Sequence, residues 1–237
     1  MLYTSLFDIS LLDIHQLNLL FILFTDLSKN LIYNLPDEIG NLVQLKNLNV
    51  QSNNLEGLPV SIQYLQELEI FNASNNKLKE IPIELCYMKK LKKISLQRNN
   101  LVRIPKIFVD MLEVVELRIG YNNIEFLPEE LFSNIENGLA KTIKYFECCE
   151  NNLQEFPYSL CNINSIDCRF DGGFNPLISP PFVILSDGLL AVQEYLRVRL
   201  IRRNEKIELM ENQDFEFIVE RCHPVACDGM LIFCFVY

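Results

Sequence analysis

The sequence predicts an α/β fold built as a repeat solenoid. Short strands line up in one parallel sheet, short helical turns carry the chain back, and a helix caps the far end. Three observations predict it. Asparagines recur at a fixed interval, with Asn30, Asn53, Asn76, Asn99 and Asn122 each 23 residues apart. Apolar residues hold fixed offsets around them, as in Leu45, Leu48, Val50 and Leu55 about Asn53, or Leu91, Ile94, Leu96 and Leu101 about Asn99. Each unit then reaches an apolar residue followed by proline: Leu35-Pro36, Leu58-Pro59, Ile81-Pro82, Ile104-Pro105, Leu127-Pro128 and Phe156-Pro157. A constant internal period of this length marks stacked-repeat architectures.

Each part of the unit has its own physical reason. The alternation of residues such as Leu48 and Val50 describes a short strand with one face buried and one exposed. One strand cannot bury itself, so successive units stack and close a continuous core through nearest-neighbour contacts. The recurring asparagine falls where the chain turns after the strand, and its amide can satisfy backbone groups of the turn and of the adjacent unit. We therefore read Asn30, Asn53, Asn76, Asn99, Asn122 and Asn151 as a structural ladder. The prolines begin the return leg, where a missing N–H is harmless at the first position of a short helical turn. Asp37-Glu38 and Glu129-Glu130 then suit the positive end of that turn. Ile39, Ile62, Leu85, Phe108, Leu131 and Leu160 dock each return leg on the core.

The form L-x-x-L-x-L-x-x-N-x-L-x-x-L-P resembles the leucine-rich repeat family, from about residue 22 to 181. Its units with terminal L-P are similar to those of the intracellular Ras-associated and scaffold members. The resemblance implies a horseshoe of about seven repeats, with the sheet on the concave face and helical or 3-10 turns on the convex face. It also implies that the concave face is where a protein partner binds. Running along that face, the middle positions are Asp26, Asn49, Asn72, Ser95, Arg118, Glu147 and Asp167. They are flanked by Phe24, Asn47, Gln51, Ile70, Ser74, Lys93, Gln97, Glu116, Tyr145, Ser165 and Arg169. Arg118 and Tyr145 are expected to anchor the partner, because arginine and aromatic side chains carry interface energy.

The period breaks in two places. From Asn122 to Asn151 the step is 29 residues, so six residues have been added around Asn134 to Ala140. Solenoids accept such insertions, which arise by drift or supply a lateral contact. The last unit runs Ile163, Ile166, Cys168 and then Asp171-Gly172-Gly173-Phe174-Asn175-Pro176-Leu177, a bulged or re-registered turn. A capping helix over 182–206 is expected to start near Ser186 or Asp187 and to bury Leu189, Val192, Leu196 and Leu200. Its other face gathers Arg197, Arg199, Arg202, Arg203 and Lys206, read as solvated. Residues 1–21 are a degenerate repeat or cap, and 207–237 a tail ending in an apolar run from Met230 to Tyr237. These ends led us to expect a fragment or an imperfect gene model.

Composition narrows the function. The net charge of −10 lacks the clustered lysine and arginine that a phosphate backbone requires, which excludes nucleic acid and disfavours an anionic membrane. The apolar run Leu17 to Phe24 is too short to span a bilayer and reads as a buried strand, so no membrane insertion is expected. The eight cysteines form no compact framework, which points to a reducing cytoplasm. His15 and His223 leave a Ser-His-Asp or Cys-His site almost nothing to build on, and neither phosphate-binding glycine motif is present. We expect no enzyme, no cofactor and no metal. Cys222, His223, Cys227 and Cys234 are the best metal candidate but lack a paired C-x-x-C. Cys148 is assigned to the core and Cys149 to the exposed face. The resulting expectation is a monomeric cytoplasmic adaptor for an unidentified protein. The alternative is the regulatory repeat segment of a larger signalling enzyme, in a kinase, GTPase or phosphatase complex.

Overall fold

Seven three-residue strands form one parallel sheet in chain order. They are β1 (Phe24–Asp26), β2 (Asn47–Asn49), β3 (Ile70–Asn72), β4 (Lys93–Ser95), β5 (Glu116–Arg118), β6 (Tyr145–Glu147) and β7 (Arg169–Asp171). The computed structural model describes residues 23–136, 138–164, 166–212, 224–227 and 230–233, with side-chain surroundings described as far as Asn204. The N-terminal segment 1–21 and most of the 207–237 tail therefore lie outside the described residues. Of the apolar run Leu17 to Phe24, only Leu23 and Phe24 are described; both are exposed, at 41% and 69%, rather than parts of a buried strand.

The register keeps every repeat in step. Leu48, Phe71, Ile94, Leu117 and Phe146 pair strand to strand and turn into the core with no exposed surface. Full burial of one such side chain is worth roughly 1.5–3 kcal/mol, and the stack repeats that gain at each unit. Return legs are 3-10 turns at Asp37–Asn41, Val60–Tyr64, Ile83–Tyr87, Lys106–Asp110, Glu129–Phe132 and Tyr158–Asn162. Each proline stands one position before its turn rather than inside it, with φ between −56° and −70°. Ile39, Ile62, Leu85, Phe108, Leu131 and Leu160 are the buried residues that fasten these turns. Glu129 serves the next repeat rather than its own turn: its carboxylate accepts the N–H groups of Tyr158 at 3.1 Å and Ser159 at 3.0 Å.

The asparagine ladder closes the turns. Asn99 illustrates it: its Oδ1 accepts the Leu78 N–H at 3.0 Å. Its amide donates to the carbonyls of Ala73 and Leu96 at 3.0 Å and Gln97 at 3.2 Å. Asn53, Asn76, Asn122 and Asn151 repeat the pattern, each accepting an N–H of the preceding unit. Asn30 donates to Leu27 and Ser28. Just before each ladder residue the backbone is left-handed, at Lys29, Ser52, Asn75, Arg98, Tyr121, Glu150 and Phe174, with φ between 52° and 57°. A non-glycine residue there costs about 1–2 kcal/mol, which the ladder bonds offset.

The structure re-registers the last unit. Asn175 joins the ladder, its Oδ1 accepting the Leu153 N–H and its amide donating to Cys148, Gly172 and Gly173. Phe170, not Ile166 or Cys168, therefore pairs with Phe146, and Asp171 pairs with Glu147. Ile166 is left 92% exposed. The packing explains the choice: a Cβ on Gly172 would lie 2.6 Å from the Phe170 ring and 2.7 Å from that of Phe156. Two large rings fill the volume that Val50, Leu96 or Ile119 occupies at the same position of earlier units.

The six added residues supply a short helix, α1 (Leu139–Thr142), which buries Leu139, Ala140 and the following Ile143. Gly138 before it has backbone oxygens of Asn134 and Val109 where a Cβ would stand, both at 2.7 Å. The insertion is thus packed into the core. At the far end, α2 (Phe182–Ser186) and α3 (Leu189–Asn212) replace the single expected helix. Gly188, at φ +89°, breaks them apart, and Ser186 bonds back to Val183 within α2 instead of capping α3. Leu189, Val192 and Leu196 are buried as expected, and Leu200 is half-buried. Gln193 adds a lock the pattern did not suggest, being 1% exposed with its amide donating to the Leu160 and Ile163 carbonyls at 2.9 and 2.8 Å. The chain divides after Leu196 into two units, and the second contains the antiparallel hairpin β8 (Pro224–Cys227) and β9 (Met230–Phe233).

Candidate functional site

Strand alternation places two rows of side chains on the concave face. One row is Phe24, Asn47, Ile70, Lys93, Glu116, Tyr145 and Arg169; the other is Asp26, Asn49, Asn72, Ser95, Arg118, Glu147 and Asp171. Asp167 precedes β7 and bonds to Asn164, so Asp171 holds the place expected for it. Ser165 lies outside the described residues.

The face changes character along its length. Its first three strands carry the amides Asn47, Asn49 and Asn72 with Phe24, Asp26 and Ile70, around an open hollow of about 220 Å³ lined by these residues and Thr25. Here Asn72 donates to Gln51 at 3.0 Å, while Ser74 and Gln51 N–H groups bond to Asn72 and Asn49. The last four strands carry a connected charged cluster. Glu116 receives Lys93 at 3.3 Å and Arg118 at 2.5 Å. Arg118 and Arg169 both lie over the Tyr145 ring, at 4.8 and 5.5 Å from its centroid. The Arg118 Nε is buried without a hydrogen-bond partner.

Glu147 is the member that the sequence misrepresents. Counted there among the exposed face residues, it is 5% exposed. Its carboxylate accepts Gln97 at 2.7 Å and the Tyr145 hydroxyl at 3.2 Å, with the Cys149 thiol at 3.8 Å. The carboxylate reaches the sheet because Gly120 makes room, since a Cβ there would sit 2.7 Å from Glu147 Oε1. A glycine at a strand end marks such close approach, and that was the available signal. Burial and the adjacent Glu147 charge push the Tyr145 phenol above its ordinary value. Lys93, Glu116, Arg118, Tyr145 and Arg169 thus form a braced surface, with Glu147 beneath it.

Cys149 is likewise buried, at 5% exposure, rather than on the exposed face; it occupies the space beside Gly120. Burial, then the Asp171 and Glu147 carboxylates, pushes its thiol up to about 12. Burial also raises Cys86 to about 12, Cys168 to about 11, and Cys148 well above the usual thiol range. A pKa raised in the folded state favours folding while the thiol stays protonated. That contribution is complete below the ordinary value of 9.0 and is lost as pH rises toward 12. We expect the urea midpoint to be flat up to about pH 8.5 and to fall above about pH 9, less steeply for Cys149→Ala. A midpoint unchanged between pH 8 and about pH 10.5 would contradict this account of the thiols.

The arginine-rich face of α3 has Arg197, Arg202 and Arg203 exposed and Arg199 half-buried; the Lys206 side chain is outside the described region. His15, Cys222, His223 and Cys234 are outside the described residues, and Cys227 falls in β8. Among the described residues no helix is long and apolar enough to cross a membrane.

No family model and no curated protein sequence matches the chain. Solved structures do. A leucine-rich repeat protein of Leptospira interrogans is 24% identical, with a TM-score of 0.53, covering 68% of this chain and 45% of its own. The PEPR1-AtPEP1 structure is 25% identical with a TM-score of 0.57, covering 65% and 22%. The plant peptide hormone receptor RGFR1 in complex with RGF2 is 25% identical with a TM-score of 0.53, covering 65% and 28%. The chain thus spans under half the length of each of these. Seven parallel strands, 3-10 return turns and a C-terminal helix, shared with these neighbours, make the fold a leucine-rich repeat solenoid.

Proposed function

We propose that the chain is a non-catalytic protein-interaction module, an adaptor in intracellular signalling, which binds a partner protein on its concave sheet face. The carrying observation is the pair of continuous side-chain rows on seven strands in fixed register. Asn49, Asn72, Ser95, Lys93, Gln97, Glu116, Arg118, Tyr145 and Arg169 are the contacts, with Asp171 in the place of Asp167. Glu147 acts from below by holding the Tyr145 hydroxyl. Cation–π stacking of two guanidiniums on Tyr145 fixes an aromatic anchor before any partner arrives, which lowers the ordering cost of binding. The similarity to the plant peptide hormone receptor RGFR1 in complex with RGF2 supports a polypeptide partner. The eight cysteines, strung along the sequence without a compact framework, support a reducing compartment.

The test is affinity capture from cytosol with the wild type and an Arg118→Glu, Tyr145→Ala double variant. We expect a discrete partner to be lost from the variant, since anchors of this kind are worth about 2–4 kcal/mol. Retention of the same partner by both proteins would remove the concave face from the account.

A further inference from the structure

The sheet ends at β7 among the described residues. Arg169 donates to Lys144 at 2.8 Å, and the Asp171 and Gly173 carbonyls accept Cys148 and Glu150 at 2.8 and 3.0 Å. Alternate residues of a strand address opposite sides. The N–H and C=O of Phe170, the N–H of Gly172 and the carbonyl of Cys168 therefore point away from β6. These are the positions through which Phe146, Cys148 and Lys144 hold β7 itself, so the edge is a ready template for one more strand. Two of the most exposed apolar residues flank it, Ile166 at 92% and Phe174 at 77%.

We propose that β7 pairs with β7 of a second copy of this chain, antiparallel about Phe170, to give a two-fold symmetric dimer. The segment is self-complementary about that residue. Phe170 N–H and C=O meet the same groups of the second copy, as a hydrogen-bonded antiparallel pair requires. The Cys168 carbonyl faces the Gly172 N–H of the second copy. Arg169 lies opposite Asp171 of the second copy, and the exposed Ile166 and Phe174 stand at the two ends of the pairing, beyond the strand itself. Each of these contacts occurs twice across the axis, as an isologous interface demands.

Edge strands are commonly protected by charges of one sign, which repel an identical edge. Arg169 and Asp171 do the reverse, because the two-fold places each against its opposite. A strand of three residues makes a small interface, so the association is concentration-dependent.

Sedimentation velocity of the full chain over a wide concentration range is the test. The wild type should shift from 27.7 kDa toward twice that mass. Asp171→Arg, with two like cations at the edge, should remain monomeric, and so should Arg169→Asp, with two anions. Mixing those two variants should restore a dimer containing one of each, and the swap Arg169→Asp, Asp171→Arg should dimerise by itself. Ile166→Asp, at a site the folded monomer leaves exposed, should weaken the wild-type dimer at least tenfold. A wild type that stays at 27.7 kDa throughout would overturn the proposal. So would a dimer equally strong in both single-charge variants.

Discussion

Replacing Asn99 with alanine is expected to lower stability by about 3 kcal/mol, read as a drop in the urea midpoint. The side chain is 6% exposed and is the acceptor of the Leu78 N–H, a donor inside the core. Removing it leaves that donor unsatisfied, at about 1–3 kcal/mol, and takes one of two amide donors from each of the Ala73 and Leu96 carbonyls, which keep Asn76 and Asn122. Asn99→Asp should be worse than Asn99→Ala, because a carboxylate turns lone pairs toward those carbonyls and buries a charge. The neighbouring Asn100 is exposed, and Asn100→Ala should change stability by less than about 0.5 kcal/mol. Equal effects at Asn99 and Asn100 would mean that the ladder is not what holds adjacent repeats.

Phe146→Ala is expected to cost about 4 kcal/mol, and Phe146→Leu about 1.5 kcal/mol or less. Phe146 has no exposed surface and meets Phe132 edge-on at 5.2 Å and Phe170 stacked at 5.8 Å; Phe170 in turn meets Phe156 at 5.4 Å. This four-ring chain ties the inserted repeat to the last one. Because solenoid stability is carried by neighbour contacts, the loss should loosen the C-terminal repeats first and broaden the unfolding transition. A cost under about 1 kcal/mol with an unbroadened transition would contradict this role for the rings.

Regular repetition is why most of the fold was legible. Asn53, Asn76, Asn99 and Asn122 recur at one spacing because each bonds the same two places in the unit before it and the same two carbonyls of its own turn. The last repeat escaped because two signals disagreed there. Apolar spacing favoured Ile163, Ile166 and Cys168, whereas the turn favoured Asn175. The turn prevailed, with Phe170 supplying the volume that Gly172 gives up, and Asp167 was thereby replaced by Asp171 on the concave face. The row of left-handed residues carries no common side chain, running from Lys29 to Phe174, so nothing in composition marks it. Burial of Glu147 and Cys149 depends on the missing side chain of Gly120, one strand away in space and 27 and 29 positions distant in sequence. Gln193 reads as an ordinary helix residue until the carbonyls of Leu160 and Ile163 are placed beneath it.

The central claim is that a partner protein occupies the concave rows. Site-specific photocrosslinking tests it most directly, with the crosslinker placed at Asn72 or Arg118 on the concave strands and at Val60 or Tyr87 on the return turns. The account predicts one protein crosslinked from both concave positions and from neither return-turn position. Crosslinking of that protein from Val60 or Tyr87, with none from Asn72 or Arg118, would place the binding surface on the opposite side and contradict it.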